Sequence, residues 1–169
     1  MKTIGLLGGM SWESSIEYYR IINQMVKQRL GGTHSAQCLM YSVDFAEIEA
    51  LQHAGNWDLL TQQMIDAVQR LKRGGADFLV ICTNTMHRMA DEIETATGLP
   101  LLHIADATAH AIKNLGLSTV GLLGTRFTME GDFYRGRLQD KHGINVIIPV
   151  EAERALVHHV IYDELVRGE

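Results

Sequence analysis

The chain is predicted to be an α/β protein of open, mostly parallel sheets with helices on both faces. Three observations carry this. Short β-rich apolar runs alternate with amphipathic stretches along the 169 residues, the mark of βαβ units. Pro100 and Pro149 are the two prolines, and both fall at strand ends, where they are tolerated. Finally, Thr3-Ile-Gly-Leu-Leu-Gly8 recurs as Thr119-Val-Gly-Leu-Leu-Gly124, an offset of 116 residues that also carries Tyr18 onto Tyr134. Two halves of similar topology are therefore expected, 1–100 and 101–169; coincidence between two strands of similar composition is the alternative.

The elements follow from hydrophobic period and punctuation. Thr3–Leu7 reads as a strand, Ser14–Arg29 as a helix and Ala36–Ser42 as a strand. Phe45–His53 and Leu59–Arg73 read as helices. Phe78–Cys82, a short apolar run after Gly74-Gly75, reads as a strand buried on both faces. Met86–Thr95 is then helical, Pro100–Ile104 a short strand and Ala107–Leu115 a helix. Thr119–Leu123 is a strand, Met129–Lys141 a helix, Asn145–Pro149 a strand and Ala152–Val166 a helix.

Composition narrows the partners. The chain is 46% hydrophobic and 21% charged with a net charge of −5, ordinary for a globular protein. Acids and bases are interspersed, which supports neither a nucleic acid nor a membrane as partner. No apolar run approaches the roughly 20 residues of a membrane span, and Met1 leads directly into a strand without a signal peptide. Cys38 and Cys82 are the two cysteines; they make no disulfide framework, so a reducing cytoplasm is the expected setting. No Cys/His pair has ligand spacing, and no metal is expected.

Thr83, Asn84 and Thr85 stand where a strand passes into a helix. In an open parallel sheet this carboxyl edge collects ligands, and free N–H groups at a helix start can receive a carboxylate. The plain alternative is an ordinary N-cap beside a buried Cys82, since Thr and Asn both cap well. The first strand likewise ends on Gly8-Gly9-Met10-Ser11. Paired glycines allow close approach of a ligand and expose N–H donors; a tight turn packed on a helix is the alternative. The spacing fits neither a dinucleotide fingerprint nor a P-loop. A small carboxylate fits better than a nucleotide.

Several stretches together resemble the aspartate/glutamate racemase family, in its amino-acid racemase branch. They are Gly8-Gly9-Met10 with Tyr18-Tyr19, Asn84-Thr85-Met86-His87, and Leu102-His-Ile-Ala-Asp-Ala-Thr108. Gly121-Leu-Leu-Gly-Thr125 and Ile161-Tyr-Asp-Glu-Leu-Val-Arg-Gly168 extend the resemblance through the second half. It implies two α/β halves facing each other across a cleft, no pyridoxal phosphate or other cofactor, and no metal. It also implies two cysteines, one per half, that remove and return the α-proton of a small acidic amino acid. A homodimer is compatible with the family.

The chain departs from the family motif twice. Aligned with Cys-Asn-Thr-x-His, Asn84-Thr85-Met86-His87 puts Thr83 at the acid/base position. Strand alternation turns Cys82 away from the direction of Thr83, so Cys82 is expected to be a buried strand residue. A hydroxyl is a far weaker acid than a thiol, so a Thr/Cys pair should be asymmetric, favouring proton removal on the cysteine's face. The family's second cysteine, in a Gly-Cys-Thr-Glu stretch, belongs near position 199 by the repeat offset, past residue 169. The second half is therefore expected to be incomplete in this chain, and the 169-residue chain alone to be inactive.

The resemblance further assigns Met10, Gln52, Thr83, Asn84, Thr85 and Thr125 to substrate binding, with Thr83 catalytic. For Gln52 a solvated helix end is the alternative. His87 and His103 are expected to be structural hydrogen-bonders, and His158-His159 are given no role. The leading reading is a cofactor-independent racemase of aspartate, glutamate or both. A maleate-isomerase or arylmalonate-decarboxylase type enzyme is a second, and a non-catalytic amino-acid-binding domain a third.

Overall fold

A computed structural model describes residues 1–167; Gly168, the last residue of the Ile161–Gly168 stretch, lies outside the described residues. The chain divides into two compact units. The first comprises Met1–Thr83 and Met89–Leu102, the second Asn84–Arg88 and the chain from His103 onward.

In the first unit, β1 (Ile4–Gly8) is the middle strand of a parallel sheet ordered β2-β1-β3, with β2 (Cys38–Ser42) and β3 (Phe78–Ile81) on either side. Gly8 pairs with Ser42 and Leu7 with Ile81, so all three strands finish at one edge. Leu6 and Leu7 point to opposite faces, and both are fully buried. Apolar layers on both sides of a parallel sheet explain the unbroken apolar run.

The helices have local causes. α1 (Trp12–Leu30) starts ahead of the expected Ser14 and ends at Gly31, whose φ of 73° closes the last turn. α2 (Phe45–His53) is capped by Asp44, which accepts the Ala46 N–H at 3.1 Å. α3 (Trp57–Arg73) buries Leu60, Met64, Ala67, Val68 and Leu71, a stripe at three- and four-residue spacing.

Two expected elements form differently. In place of one helix over Met86–Thr95, the chain makes a 3₁₀ turn at Thr85–Met89 and then α4 (Ala90–Thr97), with Met89 at φ −111°, ψ 22° between them. In place of a strand over Pro100–Ile104 there is one parallel bridge, Leu79 to Leu101. The pairing stops because His103 turns the chain into α5 (Ile104–Asn114) by accepting the Ala105 N–H at Nδ1.

In the second unit, β4 (Thr119–Gly121) pairs in parallel with β5 (Asn145–Ile147), Val120 opposite Val146. α5 packs Ala105, Ala109 and Ile112 into a core shared with Tyr134, Leu138, Ile144 and Val146. The expected helix Met129–Lys141 is broken into α6 (Arg126–Glu130), α7 (Asp132–Gly136) and a π turn at Arg137–Lys141. Gly131 makes the break: its ψ of 143° is extended, and a Cβ there would lie 2.6 Å from Phe127 O. α8 (Glu151–Asp163) stops short of the expected Val166, and a 3₁₀ turn at Leu165–Arg167 follows. Each unit thus carries an open parallel sheet with helices. Among the described residues no helix is long and apolar enough to cross a membrane.

Candidate active site

The ends of β1 and β3 carry the first unit's candidate residues. After β1, the glycines are explained by packing. A Cβ on Gly8 would lie 2.5 Å from Ser15 Oγ, and one on Gly9, at φ +92°, 2.3 Å from Val43 O. The Gly9 N–H donates to buried Ser15 Oγ at 2.9 Å. The donor expected to be exposed here is therefore taken up by α1, and the glycine pair serves a tight turn against that helix. Met10 is buried.

Ser14 fastens the start of α1 to the end of β3. Its Oγ lies 2.8 Å from Cys82 O and 3.0 Å from Ser11 O, sharing one proton between them. Cys82 continues the sheet, its N–H donating to Leu7 O at 2.9 Å, and its side chain is fully buried. Burial, with a smaller contribution from Cys38, pushes the Cys82 thiol up to about 12. A thiol so placed is a structural hydrophobe at neutral pH. Thr83, next in line, is only partly buried. Gln52 lies in α2 and is buried, so the solvated-helix-end alternative does not describe it.

In the second unit, Asn84 is exposed and its carbonyl accepts the His87 N–H at 3.0 Å, closing the 3₁₀ turn. Thr85 is buried, its Oγ1 3.3 Å from Thr125 Oγ1. Thr125 caps α6, and its Oγ1 also lies 3.2 Å from Thr128 Oγ1. Thr85 and Thr125, both expected in the site, are thus brought together. Thr128 completes a row of three hydroxyls that sequence reasoning missed; the signal available was a second threonine at the third helical position after a threonine cap.

The remaining polar residues of the Leu102–Thr108 stretch build the unit. His103 caps α5, and His87 Nε2 accepts the Ile104 N–H at 3.2 Å, the two rings meeting edge to face at 4.5 Å. Burial, then neighbouring His87, lowers the His103 pKa to about 3. One nitrogen of each ring, His103 Nδ1 and His87 Nε2, thus accepts a backbone N–H, the arrangement of structural histidines. Asp106 receives Arg137 through two bonds of 2.8 and 2.9 Å, together with Lys141 and His142. The Arg137 bond leads the causes that hold its carboxyl well below the usual range. Thr108 Oγ1 lies 3.0 Å from the buried Tyr134 hydroxyl. His158, given no role from sequence, accepts the Arg126 N–H at 3.2 Å.

One side-chain atom stands apart: Glu13 Oε2, in the first turn of α1, is buried with no hydrogen-bond partner among the described residues. A cavity of about 290 Å³ beside α2 and α3, lined by Tyr41, Asp44, Glu47, Asp66 and Arg70, contains none of the expected site residues. Among the described residues no group of three His, Cys, Asp or Glu side chains could hold a metal ion.

The profile of the Asp/Glu/hydantoin racemase family matches residues 7–168, and the chain belongs to that family. A candidate Asp/Glu racemase from Yersinia pestis shares 60% identity and a TM-score of 0.92, covering 99% of this chain and 73% of that one. An aspartate racemase homologue from Pyrococcus horikoshii shares 31% identity and a TM-score of 0.84, over 100% of this chain and 74% of that one. Among curated relatives, the broad-specificity amino-acid racemase RacX of Bacillus subtilis is 26% identical over 137 residues. That alignment takes in 78% of this chain and 58% of the relative, so the chain matches somewhat over half of the relative's length.

Proposed function

We propose that the protein is an amino-acid racemase interconverting the L and D forms of aspartate, glutamate or both. It removes and returns the α-proton without a cofactor. The observation that carries this reading is the hydroxyl-rich end of β3 in a chain of this family: Thr83-Asn84-Thr85 on the loop, with Thr85 held to Thr125 at 3.3 Å. Neutral donors of this kind suit a carboxylate, and an acidic amino acid carries two.

In this reading Thr83 is the acid/base residue on one face, while Met10, Gln52, Asn84, Thr85 and Thr125 hold the substrate. A threonine hydroxyl cannot rest as an oxyanion at neutral pH, so Thr83 returns or relays a proton better than it removes one. Buried Cys82, with its thiol pushed up to about 12, supplies no thiolate in its place. The whole protein's base is then a thiolate on the opposite face.

The test is α-proton exchange in D₂O by the whole protein, followed from the L and D forms of aspartate and glutamate separately. Exchange is expected from both enantiomers and at unequal rates. Thr83→Cys supplies a thiolate on the slower face and should accelerate that direction most. Acid–base groups contribute about 10²–10⁴-fold, which sets the scale. Equal starting rates would remove the asymmetry argument. Absence of exchange with saturable binding would favour the third reading, a non-catalytic amino-acid-binding domain, which Thr83 in the cysteine position and the inert Cys82 both support.

A further inference from the structure

The hydroxyl row of the second unit has an end that no part of the reading above uses. Thr128 is buried, and among the described residues Thr125 Oγ1, at 3.2 Å, is its side chain's hydrogen-bond partner. Thr125 Oγ1 sits in the middle, 3.3 Å from Thr85 Oγ1 on the other side. Thr125 Oγ1 also takes a share of the Thr128 N–H, at 3.3 Å, while Thr125 O takes the rest at 2.9 Å.

Each hydroxyl has one proton to give and two lone pairs to receive. An ionised carboxylate offers only acceptors, so a Thr85 hydroxyl that serves it must donate outward. Thr85 then receives from Thr125, and Thr125, having given its proton away, receives from Thr128. Every proton in the row points the same way, and Thr128 is its source. The opposite polarity would leave Thr85 donating to Thr125 and offering lone pairs to a carboxylate, which repels them. The separations are long for hydroxyl pairs, whose usual range is about 2.5–3.0 Å, as hydrogen bonds of a site without its ligand often are.

We propose that Thr128 is a positioning residue, whose hydroxyl orients Thr125 and so turns the Thr85 proton outward to an anionic group of the substrate. The proposal rests on the substrate-binding role given above to Thr85 and Thr125. It places the discrimination for a carboxylate partly on a side chain that touches none.

The test titrates L-aspartate into the whole protein and three variants. Thr85→Val should weaken binding about tenfold or more. Thr128→Val, which keeps shape and backbone N–H and removes the hydroxyl, should weaken it about fivefold, the equivalent of about 1 kcal/mol, the net value of one neutral hydrogen bond. Thr128→Ser, which restores the hydroxyl without the methyl, should bind like the unaltered protein even if it melts at a lower temperature. A purely structural role would make Thr128→Ser and Thr128→Val weaken binding alike, and would overturn the proposal. Unchanged affinity in Thr128→Val with a clear loss in Thr85→Val would also overturn it while leaving the site intact. No effect of Thr85→Val, or no binding by the unaltered protein, would remove the site reading itself and the proposal with it.

Discussion

His103 offers the most quantitative test of how the second unit is held together. Its Nδ1 accepts the Ala105 N–H at 3.1 Å and caps α5. Protonating that nitrogen would delete the cap and place a charge in a buried position beside His87. Burial, then His87, lowers the folded pKa to about 3; the unfolded chain has the reference value of about 6.5. A depressed folded pKa means that unfolding takes up a proton. The stabilisation is therefore complete above about pH 6.5 and drains away as pH falls towards 3. Between pH 7 and pH 5 the linkage comes to about 2 kcal/mol, almost all of it from protonation of the unfolded state.

The clean perturbation is His103→Asn, because Asn is among the best capping residues and does not titrate. Urea unfolding followed by circular dichroism at pH 7 and pH 5 gives two stabilities for each protein. The unaltered protein should lose about 2 kcal/mol more than His103→Asn over that interval. Histidines remote from residue 103 are common to both proteins and cancel in the difference. An equal pH dependence, within about 0.5 kcal/mol, would mean that His103 protonates in the folded state, and the buried-cap account would be refuted.

Cys82 should be inert to thiol reagents in the folded protein. With its thiol pushed up to about 12, the thiolate fraction at pH 8 is about 10⁻⁴, against roughly a quarter for an ordinary thiol. Ellman's reagent should label Cys38, whose thiol partial burial also pushes up, well before Cys82, which should react only in urea; matching rates would contradict the buried placement. Cys82→Ser should keep more than one-hundredth of whatever turnover the whole protein has, and a larger loss, beyond about 2.7 kcal/mol of barrier, would identify Cys82 as the base. Gly9→Ala places a Cβ 2.3 Å from Val43 O at a φ of +92°, and should lower the stability of the first unit by at least about 2 kcal/mol; a change under 0.5 kcal/mol in the urea midpoint analysis would show that the turn can shift.

The α/β class and open parallel sheets were readable from the alternation of short apolar runs with amphipathic stretches, because period and punctuation are local. Phe45–His53 was legible to the residue: Asp44 supplies the cap, and Ile48 and Gln52 are its buried positions. The strand cores of β1 and β3 were equally clear, since both faces of a parallel sheet demand apolar residues. The burial of Cys82 followed from alternation alone.

What failed was settled by contacts that no local pattern announces. Met129–Lys141 has helical character throughout, yet Gly131 breaks it where Phe127 O and the Phe133 ring close over the backbone. Pro100–Ile104 has the composition of a strand, but a histidine cap at Ala105 ends it after a single bridge. The glycines after β1 suggested exposed donors; Ser15, six residues on from Gly9, takes that donor instead.

The site divides along the same line. The sequence by itself determined the chemical character of the β3 end, a run of hydroxyl and amide groups, because residue types are fixed by sequence. Only the tertiary structure decided that Thr85 meets Thr125 across 40 residues and that Thr128 stands behind them. It also decided that the polar residues of Leu102–Thr108 serve a helix cap, an ion cluster and a tyrosine hydroxyl. Hydrogen bonds depend on distance and direction to within tenths of an ångström. Those are properties of packing, and packing sums contributions from residues far apart in the chain.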